Sequence, residues 1–183
     1  MSDIQNAFRL IGSLDLTSLS HDDTEEKIAA LCAKAVTPYG TTAAVCVYPE
    51  WVPLARKLLK KTPVKVATVV NFPAGGNDFK LMKDEIKKGL SGGADEIDAV
   101  FPYRDFLAGN TDSCRRFLDI IQRECGKHTS KIILETGELN HVSTIAAAVK
   151  LCLEYDIDFI KTSTGKTPVS ATVGAANIIL ETI

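Results

Sequence analysis

The chain has 183 residues, 45% of them apolar, and a formal net charge of −2. That reads as one globular domain over 1–183 with enough apolar mass for a sizeable core. The near-balanced charge points neither to nucleic acid nor to an anionic membrane.

The N-terminus, MSDIQNAFRL, lacks the apolar core of a secretory signal, and no stretch approaches the roughly 18 apolar residues of a membrane span. The five cysteines (Cys32, Cys46, Cys114, Cys125 and Cys152) are odd in number, widely spaced and without a CxxC pair. They read as small buried side chains of a reduced, cytoplasmic protein without disulfides or a zinc cluster.

Strand-like and helix-like segments alternate along the chain. A helical N-terminus leads to the short run Leu14-Asp15-Leu16. Ser20 and Asp23 stand at capping-box spacing before a helix over 24–36. A strand follows at 42–48, a helix from 50 to 60 after Pro49, and a strand at 64–70. Asn77 and Asp78 can cap a helix that stops at Gly92-Gly93. A strand at 94–100 precedes a helix that starts at Thr111 or Asp112 and stops at Gly126. A strand at 131–135, a helix over 141–155 and a strand at 158–162 come next. Ser170 is then expected to cap a last helix, which reaches Ile183 without a stop signal.

Strands rich in Val, Ile and Ala with helices between them are the signature of parallel βα units covered on both faces. Two architectures fit. An open doubly wound sheet needs no closure, whereas a (β/α)8 barrel typically takes about 250 residues. Length alone favours the open sheet.

The polar residues on these strands are informative. Alternation in DFIKT puts Phe159 and Lys161 on one face, and alternation in ADEIDAV puts Glu96 and Asp98 on one face. Lys161 ends its strand, and Asp15 and Glu135 sit at or near strand ends. In parallel α/β folds ligands bind at that carboxyl edge. Free lysine has a pKa of about 10.4, so only some 0.04% is neutral at pH 7. Burial or a second cation lowers that pKa and leaves an amine able to attack a carbonyl. Lys166, in the STGK turn, is one candidate for the second cation. The plain alternatives are a surface lysine and a structural carboxylate.

The segment Thr162–Thr167 invites a P-loop reading because it contains GKT. The motif needs glycine five positions before Gly165, where this chain has Ile160. A turn rich in hydroxyls and glycine can still bind phosphate through backbone N–H groups and a lysine. His21, His128 and His141 are scattered without ligand spacing, and no GxSxG or HExxH occurs.

Taken as a set and in order, six segments resemble deoxyribose-phosphate aldolase: LDLTSL (14–19), TTAAVCVYP (41–49), VVNFPAGG (69–76), ADEIDAVFPYRDFLAGN (94–110), KIILETGEL (131–139) and DFIKTSTGK (158–166). The resemblance implies an α/β fold of the TIM (β/α)8 barrel family with about six of the eight βα units, so it overrules the open sheet. It implies a lyase that reversibly cleaves 2-deoxy-D-ribose 5-phosphate to D-glyceraldehyde 3-phosphate and acetaldehyde, in deoxyribonucleotide and carbohydrate catabolism. Lys161 matches the Schiff-base lysine and Asp98 the proton donor and acceptor. Asp15, Thr17 and Cys46 match pocket positions, and Gly165 and Lys166 lie where the family begins its phosphate site. No metal or other cofactor is implied, a sugar phosphate is the expected partner, and a homo-oligomer is compatible with it. The family's lysine on strand seven and its later phosphate turns are expected to lie beyond this sequence. That leaves a second reading open: a non-catalytic partial barrel that self-associates or binds a sugar phosphate without turnover. A third, a binding module on an open sheet, fits the matched residues poorly.

Overall fold

Branched side chains pack well on a pleated surface buried on both faces, and the Val- and Ala-rich runs fold accordingly. The structure is a computed structural model that describes residues 3–183. Contacts within the chain divide it into two units. One runs to Val69 and takes in Lys88–Glu96; the other holds Val70–Lys87 and Ile97–Ile183.

The first unit begins with α1 (Asp3–Ile11), none of whose residues is buried, and β1 (Asp15–Thr17). Helix α2 (Glu25–Lys34) is capped by Thr24, whose hydroxyl accepts from Lys27 N at 3.4 Å. The expected Ser20–Asp23 box instead forms a loop ahead of the helix, in which Asp23 accepts from Ser18 Oγ and from Ser20 N. A two-residue hairpin of β2 (Val36–Thr37) and β3 (Gly40–Thr41) follows, too short to leave a periodic signal in sequence. Strand β4 (Ala44–Val47) is buried throughout and runs parallel to β1, with Thr17 opposite Cys46. After a 3-10 turn at Pro49–Trp51 come α3 (Val52–Leu59) and β5 (Lys65–Val70), the latter parallel to β4. Val45, Val52, Ala55 and Val66 are fully buried. Fully burying a valine is worth about 1.5–3 kcal/mol. Arg56 on α3 donates to Gly93 O at 3.0 Å and pairs with Asp95, which also accepts from Val66 N.

Helix α4 (Phe79–Gly92) starts on Asp78, whose carboxylate accepts from Leu81 N at 3.0 Å, one of the two caps expected. Strand β6 (Glu96–Val100) leads through α5 (Tyr103–Leu107) to α6 (Thr111–Cys125). Asn110 caps α6 by accepting from Ser113 N, so the cap lies just before the expected start. Strand β7 spans Thr129–Ile133, two residues earlier than the sequence suggests at both ends. The short α7 (Thr136–Leu139), α8 (Val142–Cys152) and β8 (Phe159–Lys161) follow, with β8 parallel to β7. The last helix, α9 (Val173–Thr182), is capped by Thr172 rather than Ser170. Phe101 is fully buried in the second unit, edge-on to Phe106 and Phe117.

The principal sheet has six strands in the order β1-β4-β5-β6-β7-β8. This is the α/β architecture of a partial TIM barrel, with six of the eight strands. No helix among the described residues is long and apolar enough to cross a membrane.

Candidate active site

Alternation along β6 sends Ile97 and Ala99 to one face and Asp98 to the other. Asp98 is nevertheless fully buried, so its carboxylate needs partners. Two lysines supply them. Lys161, the last residue of β8, donates from Nζ to Asp98 Oδ2 at 2.5 Å. Lys131, in the middle of β7, brings Nζ to 3.7 Å from Asp98 Oδ1. The β7–β8 register sets Lys131 opposite Phe159 and Ile133 opposite Lys161, so both lysines leave the same face. The ammonium of Lys131 also lies 5.7 Å from the centre of the Phe159 ring.

Burial grades across the trio. The side chains of Asp98 and Lys131 are 1% and 6% exposed, and that of Lys161 is 31% exposed. The lysine that a substrate can reach is therefore Lys161. Two ammonium groups therefore approach one carboxylate. Burial and like charge both favour loss of a proton from one of the amines, while the carboxylate favours keeping them.

Lys131 was not singled out from the sequence. Read as the first residue of a strand at 131–135, it lay at the wrong edge. With the strand at Thr129–Ile133 it is central. The available signal was alternation itself, which gives Lys131 and Glu135 the same parity. The second cation at Asp98 is thus Lys131; Lys166, proposed for that role, is exposed in the turn beyond β8.

That turn is fixed from below. Gly165 adopts φ 74°, and Lys166 N donates to Thr164 Oγ1 at 3.0 Å. Thr164 N and its hydroxyl both donate to the carboxylate of Glu135, which is fully buried and left-handed at φ 57°. Leu134 N donates to Lys161 O and Thr136 N to Thr162 O, which continues the strand pairing into the loops.

The remaining pocket candidates lie together in the other unit. Asp15 and Thr17 belong to β1, and Cys46, fully buried, lies opposite Thr17 on β4. The Thr17 hydroxyl donates to its own strand at Asp15 O. Among the described residues no group of three or more His, Cys, Asp and Glu is arranged to hold a metal ion.

The family model described as DeoC/LacD family aldolase matches residues 9–183. The chain belongs to this aldolase family.

Solved structures agree with that assignment. A provisionally assigned deoxyribose-phosphate aldolase from Coccidioides immitis superposes with a TM-score of 0.90 at 28% identity, over 96% of this chain and 68% of that one. An aldolase called QR15 matches at 31% identity and a TM-score of 0.88, over 100% of this chain and 77% of its own. The deoxyribose phosphate aldolase of Aeropyrum pernix, described as having a unique tetrameric structure, matches at 25% identity and a TM-score of 0.83, over 95% and 72% of the two chains. The DeoC/LacD chain described here therefore shares its fold, over nearly its whole length, with proteins named as aldolases.

Proposed function

We propose that this chain is a deoxyribose-phosphate aldolase that reversibly cleaves 2-deoxy-D-ribose 5-phosphate to D-glyceraldehyde 3-phosphate and acetaldehyde through a Schiff base on Lys161. The observation that carries the reading is the pair of lysines on Asp98, the more exposed of which ends a strand at its carboxyl edge. The names of the related aldolases support the substrate.

In this mechanism the neutral amine of Lys161 attacks C1 of the open-chain sugar. The Lys161 ammonium first passes its proton to the Asp98 carboxylate; then a C–N bond forms, the carbonyl π pair moves to oxygen, and the proton shed by the nitrogen passes to that oxygen. The carbinolamine loses water, with the proton supplied by the Asp98 carboxyl group, to give an iminium ion. The Asp98 carboxylate then takes the proton of the C3 hydroxyl, directly or through a water. The C2–C3 bond breaks, its electron pair enters the iminium as an enamine, and D-glyceraldehyde 3-phosphate departs. Protonation of the enamine at C2 and hydrolysis of the resulting imine release acetaldehyde and restore the amine. Lys131 keeps a second positive charge on Asp98, which favours the neutral form of Lys161. Lys166 and the N–H groups of the Gly165 turn meet the phosphate.

The test is borohydride reduction of the chain in the presence of 2-deoxyribose 5-phosphate, followed by peptide mass mapping. The expected result is a reduced adduct on Lys161 that is absent from Lys161→Ala. A folded protein without an adduct, or an adduct that persists in the variant, would overturn the reading.

A further inference from the structure

We infer that Glu135 is the positioning residue that builds the anion-holding turn after β8, and that it sets the preference for phosphorylated over unphosphorylated substrates. The inference rests on the reading that this turn meets the substrate's phosphate.

Glu135 stands apart from the charged trio. Its carboxylate is fully buried, yet its hydrogen bonds run to the turn, from Thr164 N at 3.3 Å and from the Thr164 hydroxyl. That hydroxyl in turn accepts from Lys166 N at 3.0 Å. One carboxylate therefore orders three consecutive residues, from Thr164 through Gly165 to the backbone of Lys166. The partner positions are 29 residues apart in sequence, so no local propensity forms this link. Glu135 also holds a left-handed backbone at φ 57°, a conformation unfavourable for a residue with a side chain. Such outliers persist where the surroundings fix them, and they gather at functional sites.

The flanking contacts reinforce the arrangement. Leu134 N binds Lys161 O at 3.0 Å and Thr136 N binds Thr162 O at 2.8 Å, so the residues on either side of Glu135 are tied to the residues just before the turn. A Cβ on Gly137 would come within 2.3 Å of Val169 O, so α7 also abuts the chain just past the turn. The turn is thus clamped at both ends, while its centre is held by the Glu135–Thr164 bonds. Lys161 keeps its place through strand pairing and Asp98, which do not depend on Glu135. Loss of Glu135 should therefore disturb the anion site and spare the amine.

The test uses the full chain, with inorganic phosphate as the anion probe and acetaldehyde, which carries no phosphate, as the amine probe. Wild type, Glu135→Gln, Thr164→Val and Thr164→Ser are titrated with phosphate by 31P NMR, and each is trapped with acetaldehyde and borohydride. Thr164→Val removes the relaying hydroxyl and should weaken phosphate binding about tenfold or more, as expected for a lost hydrogen bond to a charged group. Glu135→Gln should weaken it in the same direction, and Thr164→Ser, which keeps the hydroxyl, should restore it to within about twofold of wild type. Acetaldehyde trapping at Lys161 should stay within about twofold in all of them. Equal phosphate affinity in wild type and Thr164→Val would overturn the inference. So would absence of phosphate binding by wild type, or a parallel loss of trapping in the variants. Failure of wild type to form any adduct, with the phosphate series behaving as stated, would instead sink the aldolase reading and leave the role of Glu135 in the turn intact.

Discussion

Lys161 Nζ lies 2.5 Å from Asp98 Oδ2, and Asp98 is by far the more deeply buried of the two. The carboxylate is therefore held in place by its surroundings, and the amine faces the accessible side. If Asp98 moves the protons of the carbinolamine and enamine steps, Asp98→Asn should slow cleavage of 2-deoxyribose 5-phosphate by at least about 10²-fold, the loss typical of a general acid/base. Steady-state kcat measures this. An unchanged kcat would make Asp98 a structural acceptor only.

Lys131 lies 3.7 Å from the other oxygen of the same carboxylate. Removing it takes away a like charge near Lys161, which favours the charged form of Lys161. The apparent pKa of the reactive amine should therefore rise in Lys131→Met. At neutral pH, imine formation should slow by about tenfold for each unit of that rise, and the pH–rate curve should shift to the alkaline side. Rates of acetaldehyde trapping between pH 6 and 10 decide the matter. A curve that does not move would assign Lys131 to packing alone.

How far these residues could be read from sequence depended on the kind of signal each carries. Asp98 and Lys161 sit in apolar strands whose period of two is plain, and the matching segments give them roles. Lys131 was hidden by a two-residue error in one strand boundary, which is enough to move a side chain from mid-strand to the edge. The start of α6 at Thr111 was legible, but the last helix is capped by Thr172 rather than the expected Ser170, because backbone dihedrals rather than residue type choose among nearby polar side chains. The β2–β3 hairpin and the short helices α5 and α7 are too brief for periodicity. The link between Glu135 and Thr164 is non-local, so no window of sequence contains it.

All five cysteines are buried free thiols. Burial pushes the thiols of Cys125 and Cys152 up to about 12 and that of Cys114 up to about 11. Each raised value means that the folded state keeps its proton after the unfolded chain, with an ordinary thiol near 8.5, has lost it. The stability this contributes is complete below about pH 8.5 and declines as pH rises toward 11–12. Urea midpoints should therefore fall steadily above about pH 9, and less steeply when Cys152 is replaced by Ala. Iodoacetamide at neutral pH should label these three thiols only after unfolding. Rapid labelling of the native chain would contradict the burial.

The end of β6, which carries Asp98, is held by a close backbone approach. Gly75 adopts φ 58°, and a Cβ there would come within 2.4 Å of Phe101 O and 3.0 Å of a Val100 methyl. Asn71 Nδ2 donates to Val100 O on the same stretch. Gly75→Ala should therefore combine two costs: about 1–2 kcal/mol for the left-handed backbone and about 1–3 kcal/mol for overpacking. Gly109, at φ 78° with nothing within 4 Å of an added Cβ, isolates the first of these. Urea unfolding of Gly75→Ala and Gly109→Ala should show the first variant to be the less stable, the difference being the overpacking cost. Because the clash falls on the chain just beyond Asp98, Gly75→Ala should also lower kcat where Gly109→Ala does not. Equal stabilities for the two variants would mean that the loop yields to the methyl group without displacing β6.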